Sequence, residues 1–396
     1  MKALSVQNQP ELTNTALEVT TLETVYESLK FAWLATMANK FAATKKTYSK
    51  ILKIFFDWLK ESGVREVNAD VLTNFNLSLK AANKSNATMK IYSVVVKKFF
   101  RYVCNAAHIT DFTPLVQEAA KNATENLHKR GALDEMKARK VIGGVKTDKN
   151  FINELSTAAA KIVAYECGLE STDGIKFNAG DYQRKSNRTY LKVWNGRKFD
   201  NVRLTPIANQ AVHEFYLKRF EILRNALMVE LMLKVGLRTI EVTRLTVECV
   251  SSQNGKPFIY VTGKGRTQAE KVIITPALKR SLENFLEYRA DFPNKDNGGA
   301  LFCSISKRNF GGTLDTSTVA KAAKTALEIV NTDEEKYSAH SLRHTAACIA
   351  LKGTNYNLEF VRQMLRHRNV STTSIYINDI EFWQNDATKQ IELALE

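Results

Sequence analysis

Three of the six histidines, His340, His344 and His367, fall within 28 residues, in company with Arg343, Arg362, Arg366 and Arg368. His340 and Arg343 stand three apart in S-A-H-S-L-R-H-T-A-A, so a helix would carry both on one face. That pairing suits a phosphate: the arginine fork grips two oxygens, and an imidazole exchanges a proton near neutral pH. His340 and His344 are also four apart, the spacing of paired zinc ligands. H-S-L-R-H lacks the glutamate of a metalloprotease pattern, however, and reads as a helix surface rather than a metal site. Nine residues beyond His367 comes Tyr376, in S-T-T-S-I-Y. Its ring could fill a gap between helices, or its hydroxyl could attack an electrophile.

The elements around these residues are mostly helical. Leu358, Val361 and Leu365 mark a helix face, and Asn369 with Ser371 supplies a turn and cap for a short helix bearing Tyr376. Only six prolines interrupt the chain, so a mainly α fold with a small β-sheet or hairpin is expected. Residues 1–20 read as a flexible tail and 21–112 as a compact bundle of about four helices. That bundle carries Lys45, Lys46, Lys90, Lys97, Lys98 and Arg101 beside its apolar stripes. Residues 113–130, with Pro114, read as a linker, and a second domain is expected over 131–376. Within it, K-P-F-I-Y-V-T-G-K-G-R-T-Q-A-E-K-V-I-I-T-P signals a β-hairpin whose Gly-rich turn holds Lys264. A block at about 145–222 repeats its successor at a period of about 70: A-Y-E-C-G-L-E echoes L-K-V-G-L-R, and a second alternating stretch echoes the hairpin.

Across its 396 residues the chain holds 57 Lys and Arg against 41 Asp and Glu, a formal charge of +16. Such a surplus favours a polyanionic partner, nucleic acid first, although a basic surface serving solubility fits composition equally well. Five scattered cysteines form neither a disulfide framework nor a metal pattern, and the best apolar stretch, from Leu227, is broken by Glu230 and Lys234. A reduced, cytoplasmic protein without membrane spans is expected.

In order, G-L-R-T-I-E-V-T-R-L, the hairpin lysine, H-S-L-R-H-T, L-R-H and S-T-T-S-I-Y resemble the catalytic domain of the tyrosine recombinases, or phage integrases. The amino-terminal bundle, with T-Y-S-K-I-L-K-I-F-F-D-W-L, resembles that family's core-site DNA-binding domain. The resemblance spans the chain except the first residues and the block at 145–222. It implies a two-domain DNA clamp: a helical, SAM-like core-binding domain and a catalytic domain.

By the same resemblance, Tyr376 is the nucleophile that forms a 3′-phosphotyrosyl bond, and Arg238 and Arg343 neutralise charge on the phosphorus. Lys264 protonates the leaving 5′ oxygen, with Lys271 as its competitor; His340 assists proton transfer, His367 hydrogen-bonds the phosphate and Glu241 braces the site. No metal, ATP or other cofactor is implied. The implied partners are duplex recombination sites, further protomers in a tetramer, and accessory DNA-bending factors; the implied place is the bacterial or phage nucleoid. Residues 377–396, with Ile380, Trp383, Ile391 and Leu393, would dock on a neighbouring protomer or on their own domain.

Two departures stand out. Arg366 occupies the place where the family usually has glycine, as a further phosphate contact or an outward-pointing cation. The repeated block has Glu170 where Arg238 stands, so its copy lacks catalytic residues, while Arg184, Lys185, Arg188, Lys192, Arg197 and Lys198 suit DNA contact or a solvated face. Rival readings are a DNA-binding protein that has lost catalysis and a type IB topoisomerase.

Overall fold

The computed structural model describes residues 17–37, 42–117, 131–185, 188–263, 266–295, 299–332, 337–367, 369–370 and 373. The chain divides into two units, Met1–Lys129 and Arg130–Glu396.

The first unit joins β1 (Leu17–Glu18), α1 (Val19–Ala35), α2 (Ala42–Glu61), β2 (Glu66–Val67), α3 (Ala69–Ala81) and α4 (Asn86–Ala106). In α2 the apolar residues recur at helical spacing, so Ile51, Leu52, Phe55, Phe56 and Leu59 are all buried and the lysines between them stay outside. Phe55 lies edge-on to Phe75 and Phe100, with ring centroids 5.0 and 5.4 Å apart, which locks α2, α3 and α4 together. Asn68 and Ser85 cap α3 and α4 by accepting the N–H of Val71 and Thr88.

Two boundaries differ from the sequence reading. Leu17 and Glu18, expected in the tail, pair antiparallel with Val67 and Glu66, and α1 starts at once after them. Residues 113–117, expected in the linker, belong to the bundle: Thr113 and Val116 are buried, and the Gln117 N–H donates to Thr73 Oγ1.

The second unit runs α5 (Glu135–Cys167), β3 (Tyr182–Lys185), β4 (Arg188–Trp194), β5 (Phe199–Arg203), α6 (Pro206–Lys234), α7 (Thr239–Thr243), β6 (Val250–Gln253), β7 (Lys256–Val261), β8 (Glu270–Ile273), α8 (Pro276–Arg289), α9 (Thr316–Leu327), α10 (Ala339–Gly353) and α11 (Leu358–Leu365). Each three-stranded sheet is an antiparallel meander, in the orders β3-β4-β5 and β6-β7-β8. The chain is thus mainly helical with small sheets. Among the described residues no helix is long and apolar enough to cross a membrane.

The echo at a period of about 70 has a structural counterpart. Each copy opens with a helix ended by a glycine at positive φ, Gly168 at +66° and Gly236 at +68°. β3 and β6 each begin 14 residues after that glycine. Each copy closes with Thr-Pro at a helix start, where Thr205 or Thr275 accepts the N–H of Ala208 or Leu278 and proline takes the first turn. The limits 145 and 222 fall inside α5 and α6, because both helices continue unbroken from the block into the rest of the unit. Two cores result. Leu133, Ala138 and Val141 of the α5 end join Leu227, Met228 and Leu231 of α6 in the large one. Ala159, Val163, Leu191, Val193, Val212 and Phe215 form a small one under the first sheet.

Candidate active site

The residues singled out in G-L-R-T-I-E and in S-A-H-S-L-R-H come together because α6 ends where α10 and α11 pack. Gly236 turns the chain at the end of α6 at φ +68°, and a Cβ there would sit 2.7 Å from Leu365 Cδ2, so glycine is favoured by both backbone and packing. Two residues later Arg238 opens α7, whose Glu241 returns its carboxylate to the Arg238 N–H (2.8 Å) and to Arg238 Nη1 (2.9 Å). Ser338 starts α10, its N–H donating to Ser341 Oγ at 3.2 Å, and the helix buries Arg343 and leaves His340 exposed.

Glu241 is fully buried and sits among three guanidiniums. Besides Arg238, its Oε2 accepts from Arg366 Nη2 at 2.7 Å and lies 3.7 Å from Arg343 Nη1. Burial pushes the carboxyl pKa up, but the Arg366 charge, the Arg238 N–H and the Arg343 charge together hold it below the usual range. Three guanidiniums against this carboxylate leave a surplus of positive charge. Two of the three guanidiniums, Arg238 and Arg343, line a cleft of about 1010 Å³ together with Lys324, Glu328, Tyr337 and His340.

Arg343 is almost wholly enclosed. Its Nη1 donates to the Gly236 carbonyl; its Nη2 donates to the Leu365 carbonyl at 2.6 Å and to His367 Nε2 at 3.0 Å. It therefore ties the ends of α6 and α11 together, whereas Arg238 keeps 29 % of its side chain exposed and is the more open fork. Because a guanidinium only donates, His367 Nε2 must accept, and Nδ1 carries the proton toward Thr373 Oγ1, 2.9 Å away. Burial and the charges of Arg343, Arg238 and Arg366 lower the His367 pKa to about 4, so the ring is neutral at pH 7.

Arg366 differs from both outcomes expected of it. It neither reaches outward nor faces the cleft as a phosphate contact: it is buried and bound to Glu241. Its backbone ends α11 in the left-handed region at φ +57°, where glycine is the easy choice. His344 is likewise buried rather than on the helix surface, because α10 packs on more than one side. Among the described residues no three His, Cys, Asp or Glu side chains gather to hold a metal ion.

Lys264 and Tyr376 lie outside the described residues. The carbonyl of Gly263, the residue before Lys264, accepts from Arg244 Nη1 at 2.9 Å. The competing Lys271 is engaged elsewhere: it donates to Gln253 Oε1 at 2.7 Å and lies over the Phe258 ring. In the first unit, Lys46, Lys90 and Lys98 are exposed and Lys45 and Lys97 half-buried, while Arg101 is held by Asp111 at 3.0 Å. Two positions escaped the sequence reading, Thr373 as partner of His367 and Arg244 as partner of the Gly263 carbonyl. Thr373 stands in a run of hydroxyl residues and Arg244 among mixed neighbours, so neither spacing nor type marks them.

Residues 217–381 match the phage integrase family. Tyrosine recombinase XerC of Caldanaerobacter subterraneus subsp. tengcongensis is 28 % identical over 173 residues, 44 % of this chain and 46 % of that protein. Tyrosine recombinase XerC of Chlorobaculum tepidum is 35 % identical over 164 residues, 40 % of this chain and 46 % of that one. The chain thus spans about half the length of the curated relatives it matches. In fold it is similar to the XerH site-specific recombinase bound to palindromic difH substrate, with a TM-score of 0.59, 17 % identity, and coverage of 94 % of this chain and 85 % of the other. It is also similar to a lambda integrase dimer bound to a COC′ core site, with a TM-score of 0.53, 13 % identity, and coverage of 93 % and 79 %.

Proposed function

We propose that this chain, whose residues 217–381 match the phage integrase family, is a site-specific DNA recombinase that cuts and rejoins duplex DNA through a 3′-phosphotyrosyl intermediate. The observation that carries the reading is the cleft where Arg238 and His340 stand over a Glu241-centred cluster with surplus positive charge. Such a site receives an anion whose charge grows during reaction, as a phosphodiester does at the pentacoordinate stage.

In this mechanism Tyr376 Oη bonds to the phosphorus as the P–O5′ bond breaks. Lys264 gives the leaving oxygen its proton, and His340 assists removal of the phenol proton. A tyrosine has an ordinary pKa of about 10, so it needs that help and a cationic pocket to attack at neutral pH. Arg238 takes the nonbridging oxygens, while Arg343, which also lines the cleft, adds charge to it. A second 5′-hydroxyl then attacks the phosphotyrosine and restores the phenol. The bond energy is conserved, so the residues need no ATP. Duplex sites, a tetramer of protomers, accessory DNA-bending factors and a cytoplasmic, nucleoid-associated setting belong to the same proposal, as do the six basic side chains of the first unit as its DNA contacts.

The test is trapping on a suicide duplex carrying a site recovered by binding selection, nicked so that the attacked strand loses a short fragment. Wild type should give a denaturant-stable, protease-sensitive adduct in EDTA, and Tyr376→Phe none. Binding without an adduct from wild type would favour a DNA-binding protein without catalysis.

A further inference from the structure

The first sheet, β3–β5, offers a face that the proposed chemistry does not use. Side chains directly opposite one another in an antiparallel sheet share a face, so the register sorts them. Leu191 and Val193 point down into the small core, with Tyr182 and Val202 beside Leu191. The outward rows are Lys185 beside Arg188, then Gln183 and Arg203 flanking Tyr190, then Lys192 beside Asn201, and last Trp194 beside Phe199. Lys185, Arg188 and Arg203 are exposed, as are Trp194 at 42 % and Phe199 at 59 %, their rings 5.1 Å apart.

No carboxylate lies among those rows. Asp200 is on the opposite face by register, opposite Val193. Asp181, which precedes β3 opposite Lys192, is buried and accepts the Asn178 N–H. Two exposed aromatic rings would be costly on a face meant only for water, and four cations with no carboxylate among the described residues of that face suit an anion. The corresponding face of the second copy carries two lysines rather than four cations, Lys256 and Lys271, beside Phe258, Tyr260 and Ile273, and its Lys271 is tied to Gln253.

We propose that the outer face of β3–β5 is a second duplex-DNA-binding surface. It rests on the recombinase reading only in taking DNA as the anion. The four cations bind phosphates, Gln183 and Asn201 are placed to meet base edges in a groove wide enough for a β-ribbon, and the Trp194–Phe199 pair packs against sugar. The copy has lost the position equivalent to Arg238, where it has Glu170, so this surface binds without cutting.

The test compares the full chain with the variant Lys185→Gln, Arg188→Gln, Lys192→Gln, Arg203→Gln. The probe is a mixed-sequence duplex of about 40 base pairs, titrated by fluorescence anisotropy over a range of salt. The variant should bind about tenfold or more weakly, with the slope of log affinity against log salt reduced by about three. Equal affinity and slope would overturn the proposal while leaving the recombinase reading intact; failure of wild type to bind duplex at all would overturn both. Because four substitutions could disturb the fold, wild type is also footprinted by lysine acetylation. Lys185 and Lys192 should be protected when the duplex saturates the protein. Unchanged acetylation, or protection that rises with protein concentration without DNA, would sink the idea and point in the latter case to a protein partner.

Discussion

Arg366 stands where the resembling family has glycine, and its backbone shows why glycine would be easier: a left-handed residue with a side chain costs roughly 1 kcal/mol. The chain tolerates that because the guanidinium reaches Glu241, a carboxylate with no exposure. Removing one member of a buried ion pair costs about 3–5 kcal/mol, which exceeds the strain relieved. Arg366→Gly should therefore destabilise the chain by about 2–4 kcal/mol in denaturant unfolding, and should slow adduct formation by loosening Glu241 and, through it, Arg238. Combined with Glu241→Gln, the loss should fall well short of the sum of the single variants; additive losses would show that the pair is not coupled. From the sequence, residue types and spacing flagged His340, Arg343 and His367 and the family resemblance added Arg238, but neither told which way each points. The inward turn of Arg366 and Arg343 follows from the ends of α6 and α11 meeting at Gly236 and Leu365.

At the scale of elements, the two glycines that end α5 and α6 separate conformational cost from packing cost. Gly168 and Gly236 share a positive φ, yet a Cβ at Gly168 meets nothing within 4 Å, whereas at Gly236 it meets Leu365 at 2.7 Å. Gly168→Ala should cost about 1 kcal/mol and leave adduct formation unchanged. Gly236→Ala should cost about 2–4 kcal/mol, adding an overlap to the backbone strain, and should cut adduct formation because both Gly236 and Leu365 supply carbonyls to Arg343. Equal effects on unfolding and trapping would contradict this account. The hairpin of β7 and β8 was legible from alternation around T-G-K-G, and the repeat from its period. The block's limits were not, since a helix that serves two cores shows no break in its sequence.

For the molecule as a whole, α5 and α6 run through two of the second unit's cores, the large one and the small one under the first sheet, while a third joins α10 and α11. Excising residues 152–215 and joining α5 to α6 by a short turn should remove the small core and spare the large one. The shortened chain should unfold cooperatively and still form the covalent adduct, while binding duplex more weakly than wild type. Loss of cooperative unfolding would mean that the small core supports the large one. The charge of +16 fits this division of labour, since β3–β5 gathers cations on a face remote in role from the cleft.

The sequence by itself determined the helical class, the amino-terminal bundle and the repeat, and it nominated the candidate chemical residues, because each depends on local periodicity, caps or the order of motifs along the chain. It did not determine that Glu241 gathers three arginines, that His367 is neutral and hydrogen-bonded to Thr373, or that one sheet face is free of carboxylates. Those follow from which carbonyls, charges and strands meet in space, and pKa, exposure and register exist only once the chain has folded.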